Sequence, residues 1–197
     1  MDEVDFQIMI PSKYQDLSRF SVPKNFRAKS MYYIFLWWIV EKVLFKTSPR
    51  FFWGFRRALL KLFGAKIGKN VRIRPEAKIT YPWKLAVGDN SWIGEDTVIY
   101  NLGNIEIGSN VAIAHRVYLC SGSHNVNKIT FDITESPILI SDEVWIANDV
   151  FIGPGVRVGF GSVIGARSSV FKDMPPGHIC FGTPCKPISE RVKHKDE

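Results

Sequence analysis

Residues 107–124 read IGSNVAIAHRVYLCSGSH, and an aliphatic residue stands at every sixth position of this stretch. The spacing continues in both directions and defines fifteen positions, all of them Ile, Val or Leu: Ile67, Ile73, Ile79, Val87, Ile93, Ile99, Ile107, Ile113, Leu119, Ile140, Ile146, Ile152, Val158, Ile164 and Val170. A period of six fits neither an amphipathic helix nor a strand of a sandwich, which would alternate in twos. It is typical of a β-solenoid in which each hexapeptide forms one flat face.

The hexapeptides group into triangular coils of three, so each coil takes 18 residues. Two-residue slips separate the first three coils, and a 15-residue insertion separates the third from the fourth. The five predicted coils are 67–84, 87–104, 107–124, 140–157 and 158–175. We therefore expect an all-β solenoid of about five coils. Its predicted divisions are an N-terminal extension, 1–66, the solenoid, 67–175 with loop 125–139, and a C-terminal tail, 176–197.

Two further positions of the repeat have their own residue preferences. The fifth position is usually small or β-branched, as at Val71, Ala77 and Ser91, and we expect it near a corner where space is short. Glycine often follows the inward aliphatic residue, as at Gly88 and Gly94, where the backbone needs freedom from a Cβ.

Composition limits the classes of function that fit. The chain has 197 residues, a net charge of +7 and three cysteines, which imply no disulfide framework. The acidic start of the chain does not resemble a secretory signal, so we expect a cytoplasmic protein. No nucleic-acid-binding motif accompanies the positive charge, and we expect no nucleic-acid partner. A small polyanionic ligand or an anionic membrane surface explains the charge more economically.

Residues 30–63 differ in character from the repeat, because apolar and aromatic residues alternate there with lysine and arginine. We expect two helices, roughly 30–46 and 49–63, with Ser48-Pro49 starting the second. Met31 to Val40 is too short to span a membrane. One interpretation is a cap or subunit contact at the open end of the solenoid. A compatible one is peripheral contact of residues 30–63 with the cytoplasmic face of an anionic membrane.

Several motifs resemble the hexapeptide-repeat O-acetyltransferases, in particular the maltose, galactoside and colanic-acid biosynthesis group. The matching stretches are Leu119 to His124, Pro137 to Ile140, Val144 to Ala147, Phe151 to Val156, Ser162 to Ser168, Phe171 to Pro176 and Phe181 to Lys186. The resemblance covers about residues 64–190 and implies a left-handed parallel β-helix. It also implies a homotrimer that transfers acetyl from acetyl-CoA to a hydroxyl of a sugar or polysaccharide precursor, without a metal.

The resemblance implies that His124 is the general base. A hydroxyl group attacks a thioester poorly unless its proton is removed, and an imidazole with a pKa of about 6.5 suits that task. By repeat position, Asn101 is a candidate to orient the acceptor. The family's sugar-binding carboxylate and amide fall on Leu102 and Gly94, which argues against the same small-sugar binding mode.

The resemblance also places coenzyme A in a slot between adjacent subunits. The matching residues are Ala147, Asn148, Gly165 and Ala166 along pantetheine, and Lys172 and Lys186 at the nucleotide end.

Three alternatives stay open at this stage. A zinc enzyme of the γ-carbonic-anhydrase type needs three converging histidines, and the four here, His115, His124, His178 and His194, are poorly spaced for it. A solenoid without catalysis could serve assembly or binding. An amino sugar or another small acceptor could replace the hydroxyl acceptor, since the same base would serve it.

Overall fold

A computed structural model describes residues 13–192 of the chain. Most of these residues form a triangular prism of short parallel strands, and each face of the prism is one sheet. Sheet A contains β1 (Lys66–Ile67), β4 (Leu85–Val87), β7 (Ile105–Ile107), β12 (Ile138–Ile140) and β15 (Arg157–Val158). Sheet B begins with β2 (Arg72–Ile73), β5 (Trp92–Ile93), β8 (Ala112–Ile113), β13 (Trp145–Ile146) and β16 (Val163–Ile164). Sheet C contains β3 (Lys78–Ile79), β6 (Val98–Tyr100), β9 (Tyr118–Cys120), β14 (Phe151–Ile152) and β17 (Ser169–Val170).

The fifteen repeat positions form three columns inside the prism, one behind each sheet. Parallel pairing aligns Ile67, Val87, Ile107, Ile140 and Val158 in sheet A, and the corresponding positions align in sheets B and C. None of the fifteen side chains is more than 6% exposed. Stacked aliphatic side chains therefore form the core, and the expected all-β solenoid with an N-terminal helical segment is confirmed.

The corners of the prism explain the other repeat preferences. At many corners the residue three places after an inward side chain adopts a positive φ. The angle is 55° at Asn70, 58° at Asn90 and 57° at Asn110, and asparagine tolerates that conformation better than most residues do. Gly88 does not have a positive φ, but a Cβ there would lie 2.6 Å from backbone atoms of the next coil. Glycine at this place thus permits close approach of the coils rather than an unusual turn. Val71, a fifth-position residue, is fully buried as expected.

The left-handed β-helix has about six turns, one more than the repeat predicts. Strand β18 (His178–Gly182) pairs in parallel with β16 and continues sheet B, and β19 (Cys185–Glu190) returns antiparallel to it. The sequence of this last turn lacks the hexapeptide spacing, although Cys180 occupies the column position beside Ile164.

The N-terminal segment contains helix α1 (Met31–Val40), which continues as a π-helical turn (Glu41–Phe45), and helix α2 (Trp53–Leu62). The second helix begins at Trp53 and not at Pro49, which corrects the sequence prediction. The physical reason is the buried guanidinium of Arg56, which donates to Ser48 Oγ and to the carbonyl oxygens of Pro49 and Arg50. These acceptors reach Arg56 because residues 46–51 form a turn. Within residues 13–192, neither helix is long and apolar enough to cross a bilayer.

The two helices close the first coil, whose strands have no preceding coil to pair with. Trp37 Nε1 donates to the carbonyl oxygen of Ile79 at 2.9 Å, and the carboxylate of Glu41 accepts from the amide of Ile79 at 3.0 Å. Arg56 Nε donates to the carbonyl oxygen of Ile73 at 2.7 Å. Side chains of the cap thus satisfy the open sheet edge, which would otherwise offer unpaired backbone groups to other chains.

Candidate active site

The predicted base lies where the chain leaves the prism. After β9, residues 122–135 form a hairpin of β10 (Gly122–His124) and β11 (Ile133–Glu135), and His124 stands opposite Ile133. The repeat predicts His124 as the last residue of the third coil. The structure instead places it at the end of the outgoing strand, because residues 122–124 pair with the returning chain rather than with a neighbouring coil.

The imidazole of His124 is held by one residue of the hairpin tip. Its Nδ1 lies 2.8 Å from the carbonyl oxygen of Phe131, and its ring stacks on the Phe131 ring with centroids 4.2 Å apart and an interplanar angle of 8°. A carbonyl oxygen can only accept, so Nδ1 carries the proton in this contact. The neutral ring then keeps its lone pair on Nε2, which is the arrangement a general base requires.

Phe131 has a φ of 50°, which is uncommon for a bulky residue. The tip around it is held by Asp132, which accepts from Lys128 at 2.7 Å and from Thr130 at 2.6 Å. These two donors, Lys128 first, hold the pKa of the Asp132 carboxyl below its usual value. The sequence analysis assigned no role to Phe131. Its hydrogen bond and its ring stacking with His124 both depend on a positive φ at Phe131, which no sequence motif predicts.

A buried lysine fixes the base of the hairpin to the prism. Lys84 Nζ is 2.8 Å from the carboxylate of Glu135 and also donates to the carbonyl oxygens of Phe26 and Leu102. Only 10% of the Lys84 side chain is exposed. Its contacts join the N-terminal segment, the second coil and β11, and thereby set the direction in which the hairpin leaves.

Asn101 does not face the space around His124. Its side chain has no exposed surface, its Nδ2 donates to the carbonyl oxygen of Tyr81 at 2.6 Å, and its Oδ1 accepts from the amide of Tyr81 at 2.9 Å. The amide group therefore joins the first coil to the second at a corner of the prism. This geometry gives no support to the acceptor-binding role predicted for Asn101.

The four predicted pantetheine residues lie together on the edge between sheets B and C. The amide of Ala147 donates to the carbonyl oxygen of Ile164 at 2.9 Å, and the amide of Gly165 donates to the carbonyl oxygen of Cys180 at 2.8 Å. Ala147 and Gly165 therefore occupy successive coils. Asn148 and Ala166 follow them directly, and Ala166 is exposed. Three of the four residues, all but Asn148, carry no side chain beyond Cβ.

The two predicted lysines lie elsewhere on the last coils. Lys172 follows β17 and stands at the edge between sheets C and A, whereas Lys186 lies in β19 opposite Phe181. Both are exposed. The ring of Phe181 sits over Gly165, where a Cβ would come within 2.6 Å of it. The structure thus brings Lys186, but not Lys172, toward the edge that carries Ala147 and Gly165.

Within one chain, His124 and the pantetheine residues occupy different edges of the prism. Ala147 and Asn148 precede strand β14 of sheet C, whereas His124 follows strand β9 of the same sheet. The two groups therefore stand at opposite ends of the strands of sheet C. A single chain does not bring the predicted base and this edge into one cleft.

Residues 13–192 contain no group of three histidine, cysteine or acidic side chains arranged to hold a metal ion. His124 itself contacts Phe131 and, at 5.8 Å between ring centroids, Phe20. His194, the fourth histidine of the zinc alternative, lies outside the described residues.

No protein-family model matches the chain. The chain is 51% identical over 179 residues to WcaF of Escherichia coli strain K12, which is provisionally named a colanic acid biosynthesis acetyltransferase. This match covers 91% of the chain and 98% of the relative.

Two solved structures share the architecture. A maltose O-acetyltransferase from Clostridium difficile 630 superposes with a TM-score of 0.75 at 27% identity, covering 84% of this chain and 91% of that one. A galactoside acetyltransferase in complex with coenzyme A superposes with a TM-score of 0.73 at 29% identity, covering 85% of this chain and 83% of the other.

Proposed function

This chain belongs to the hexapeptide-repeat acetyltransferases and is an acetyl-CoA-dependent acetyltransferase, and we propose that it acetylates a hydroxyl group of a sugar or polysaccharide precursor with His124 as the general base. The observation that supports the general-base role is the hydrogen bond from His124 Nδ1 to the carbonyl oxygen of Phe131. This hydrogen bond leaves Nε2 free to accept a proton. Colanic acid in the name of the 51% identical relative supports a polysaccharide precursor.

The chemistry follows from that tautomer. His124 Nε2 takes the proton of the acceptor hydroxyl as the hydroxyl oxygen bonds to the carbonyl carbon of the acetyl thioester. The carbon–sulfur bond then breaks, and the imidazolium returns the proton to the departing thiolate, so the products are an acetyl ester and free coenzyme A. The Phe131 carbonyl stays hydrogen-bonded to Nδ1 throughout and stabilises the ring while it is charged.

We propose that the pantetheine arm of coenzyme A lies along the edge that carries Ala147, Asn148, Gly165 and Ala166. Three of these residues have no side chain beyond Cβ, which favours contact of a thin chain with the backbone. We propose that two exposed ammonium groups meet the phosphates of the nucleotide end, that of Lys186 beside this edge and that of Lys172 from the other edge of a neighbouring chain.

A homotrimer is proposed on the same geometry. The base stands at one end of the sheet C strands and the pantetheine edge at the other, so one site requires edges from two neighbouring chains. Threefold symmetry would repeat this pairing three times and leave no chain without a partner.

Acetyl-CoA is a cytoplasmic metabolite, and we propose a cytoplasmic location on that basis. The predicted peripheral contact of residues 30–63 with a membrane is an independent proposal, because it concerns the helical cap and not the edges of the prism.

Two inactive variants test the base and the shared site together. His124→Ala should lower the rate of acetyl transfer by about 10²–10⁴-fold with the fold unchanged. Ala166→Trp should block the pantetheine edge and also abolish transfer. Co-expressed in one cell, the two variants should regain part of the activity, since mixed trimers contain sites with an intact His124 from one chain and an intact edge from the next.

Activity is followed as coenzyme A release and as acetylated product, with nucleotide sugars, lipid-linked oligosaccharides and polymer fragments as acceptors. A loss below tenfold in a His124→Ala protein of unchanged size would remove His124 from the mechanism. Mixed assemblies that stay inactive, with both chains present by mass spectrometry, would place the whole site within one chain. Faster transfer to an amino sugar than to any hydroxyl acceptor would identify the alternative acceptor class.

A further inference from the structure

Helix α1 is apolar on the side that faces away from the protein as well as on the side that faces the core. Ile34, Trp37 and Phe45 pack inward and are fully buried. On the opposite side of the helix and its π-helical turn, Tyr32 is 90%, Leu36 50%, Ile39 44% and Val43 56% exposed. A helix that only capped the prism would carry polar residues on this outer side. The inner side of the helix contacts the protein core, and the outer side is suited to contact with another apolar surface.

The exposed apolar surface extends beyond that stripe. Phe35 and Trp38 flank it at 59% and 49% exposure, and we call these two residues with Tyr32, Leu36, Ile39 and Val43 the apolar patch. Large contiguous apolar patches on a protein surface mark contact with a partner or a membrane. Trp and Tyr suit the boundary between water and lipid, because each has an apolar body and a polar end.

The part of the sequence that carries the patch is rich in positive charge, even though Arg50 and Arg74 pair with Glu76 and Glu95 and Arg56 is buried. Residues 17–75 hold 14 of the 26 lysines and arginines of the chain but only one of its 19 acidic residues, Glu41. That carboxylate is buried and accepts from the amide of Ile79, so it adds no negative charge to the surface. The remaining 18 acidic residues lie outside this segment. The cap therefore complements an anionic surface, whereas two copies of the same face would repel one another.

We propose that the cap end of the prism binds the surface of a bilayer that contains anionic phospholipid. The apolar patch enters the boundary between headgroups and acyl chains, to a depth of about 5–10 Å, as interfacial helices do. Lys42 of the π-helical turn and Lys46, which directly follows it, are both exposed and lie at the level of the phosphates. The helix lies in the interface and does not span it.

This orientation has a consequence for the acceptor, which rests on the proposed function. Neighbouring coils are separated by about 4.8 Å, so the third coil, from which the hairpin of His124 leaves, stands about 10 Å beyond the first. The first coil contacts the cap directly. The site would then lie close above the headgroups, within reach of a saccharide attached to a membrane lipid.

Binding to vesicles tests the proposal without donor or acceptor, so its failure is separate from any failure of the acetyl-transfer proposal. The full chain is sedimented with vesicles of phosphatidylcholine alone and of phosphatidylcholine mixed with phosphatidylglycerol. We expect binding to the mixed vesicles only, with an affinity that falls as salt is raised. Replacing three outward residues, Tyr32→Ser, Leu36→Ser and Ile39→Ser, should weaken it by about tenfold or more.

The matched control removes exposed apolar surface at the other end of the molecule. Ile188→Ser with Val192→Ser, at residues 67% and 79% exposed, should leave vesicle binding unchanged. Brominated lipid should quench tryptophan fluorescence of the wild type, and Trp38→Phe should remove most of that quenching. Equal binding by the patch variant, or no binding of the wild type to mixed vesicles, would overturn the proposal. A smaller assembly of the patch variant, without vesicle binding by the wild type, would identify the patch as a contact between copies of the chain.

Discussion

The prism and its helical cap share one hydrophobic core, but they are held together in different ways. In the prism, the same three columns and the same ladder recur from coil to coil, and each coil supplies the edge on which the next one pairs. In the cap, single side chains such as Trp37, Glu41 and Arg56 each satisfy one backbone group of the first coil. Repetition spreads the stabilisation over many equivalent contacts, whereas the cap concentrates it in a few that have no substitute.

The strongest test of this difference is Arg56→Ala. Arg56 is fully buried and donates to the carbonyl oxygens of Ile73, Pro49 and Arg50 and to Ser48 Oγ. Removing it leaves several buried acceptors without donors, so we expect a loss of about 3–5 kcal/mol in the free energy of unfolding.

Thermal and chemical denaturation measure the effect of Arg56→Ala. The neighbouring Arg57→Ala is the matched control, because Arg57 is only half-buried and makes one bond, to the carbonyl oxygen of Val71 at 3.0 Å. Its expected cost is about 1 kcal/mol. Equal losses in the free energy of unfolding for the two variants would mean that the stability of the cap, like that of the prism, is spread over many contacts.

Alanine in place of glycine should have opposite effects in the two regions. In the prism, the Cβ of Gly88→Ala would lie 2.6 Å from the backbone of Gly108 and Ser109, and separating the coils should cost about 1–3 kcal/mol. In α2, the Cβ of Gly54→Ala would meet nothing closer than 3.8 Å, and we expect a gain of about 0.5–1 kcal/mol from helix propensity.

The unfolding midpoints of the Gly88→Ala and Gly54→Ala variants test this prediction. A Gly88→Ala protein as stable as the wild type would show that the coils can move apart at little cost. The glycine of the repeat would then reflect something other than close approach.

The prism could be predicted well from the sequence, because all of its coils follow the same six-residue period. The aliphatic positions, the small fifth position and the break at the hairpin all follow from a period of six, and each is visible without knowledge of distant contacts. The cap was predicted less well. The start of α2 depends on Arg56 reaching back to Pro49 and Arg50, which helix propensity does not encode.

The candidate site divides in the same way. The position of His124 could be read from the end of the regular repeat and its flanking motif. Its orientation could not, because that depends on Phe131 adopting a positive φ seven residues later. The acceptor-binding role of Asn101 stays a prediction from its repeat position, and the structure shows that both polar atoms of its side chain bond to Tyr81. Position along a solenoid is thus predictable, while the direction of a polar side chain depends on its particular neighbours.

The smallest expected effect concerns the one carboxylate of the cap. Burial raises the pKa of Glu41 even though the amide of Ile79 donates to it. The folded state therefore holds this proton to a higher pH than the unfolded chain does. The stabilisation from protonated Glu41 is complete below the pKa of an unfolded glutamate and is lost as pH rises through the folded value. Once Glu41 is ionised, its buried charge opposes folding.

Glu41→Gln removes this charge and keeps an oxygen that can accept from Ile79. The melting temperature of the variant should equal that of the wild type near pH 4 and exceed it by a few degrees near pH 7. The exposed Glu106→Gln serves as the control and should show no such divergence. A constant difference across this range would mean that ionisation of Glu41 does not change the stability of the cap.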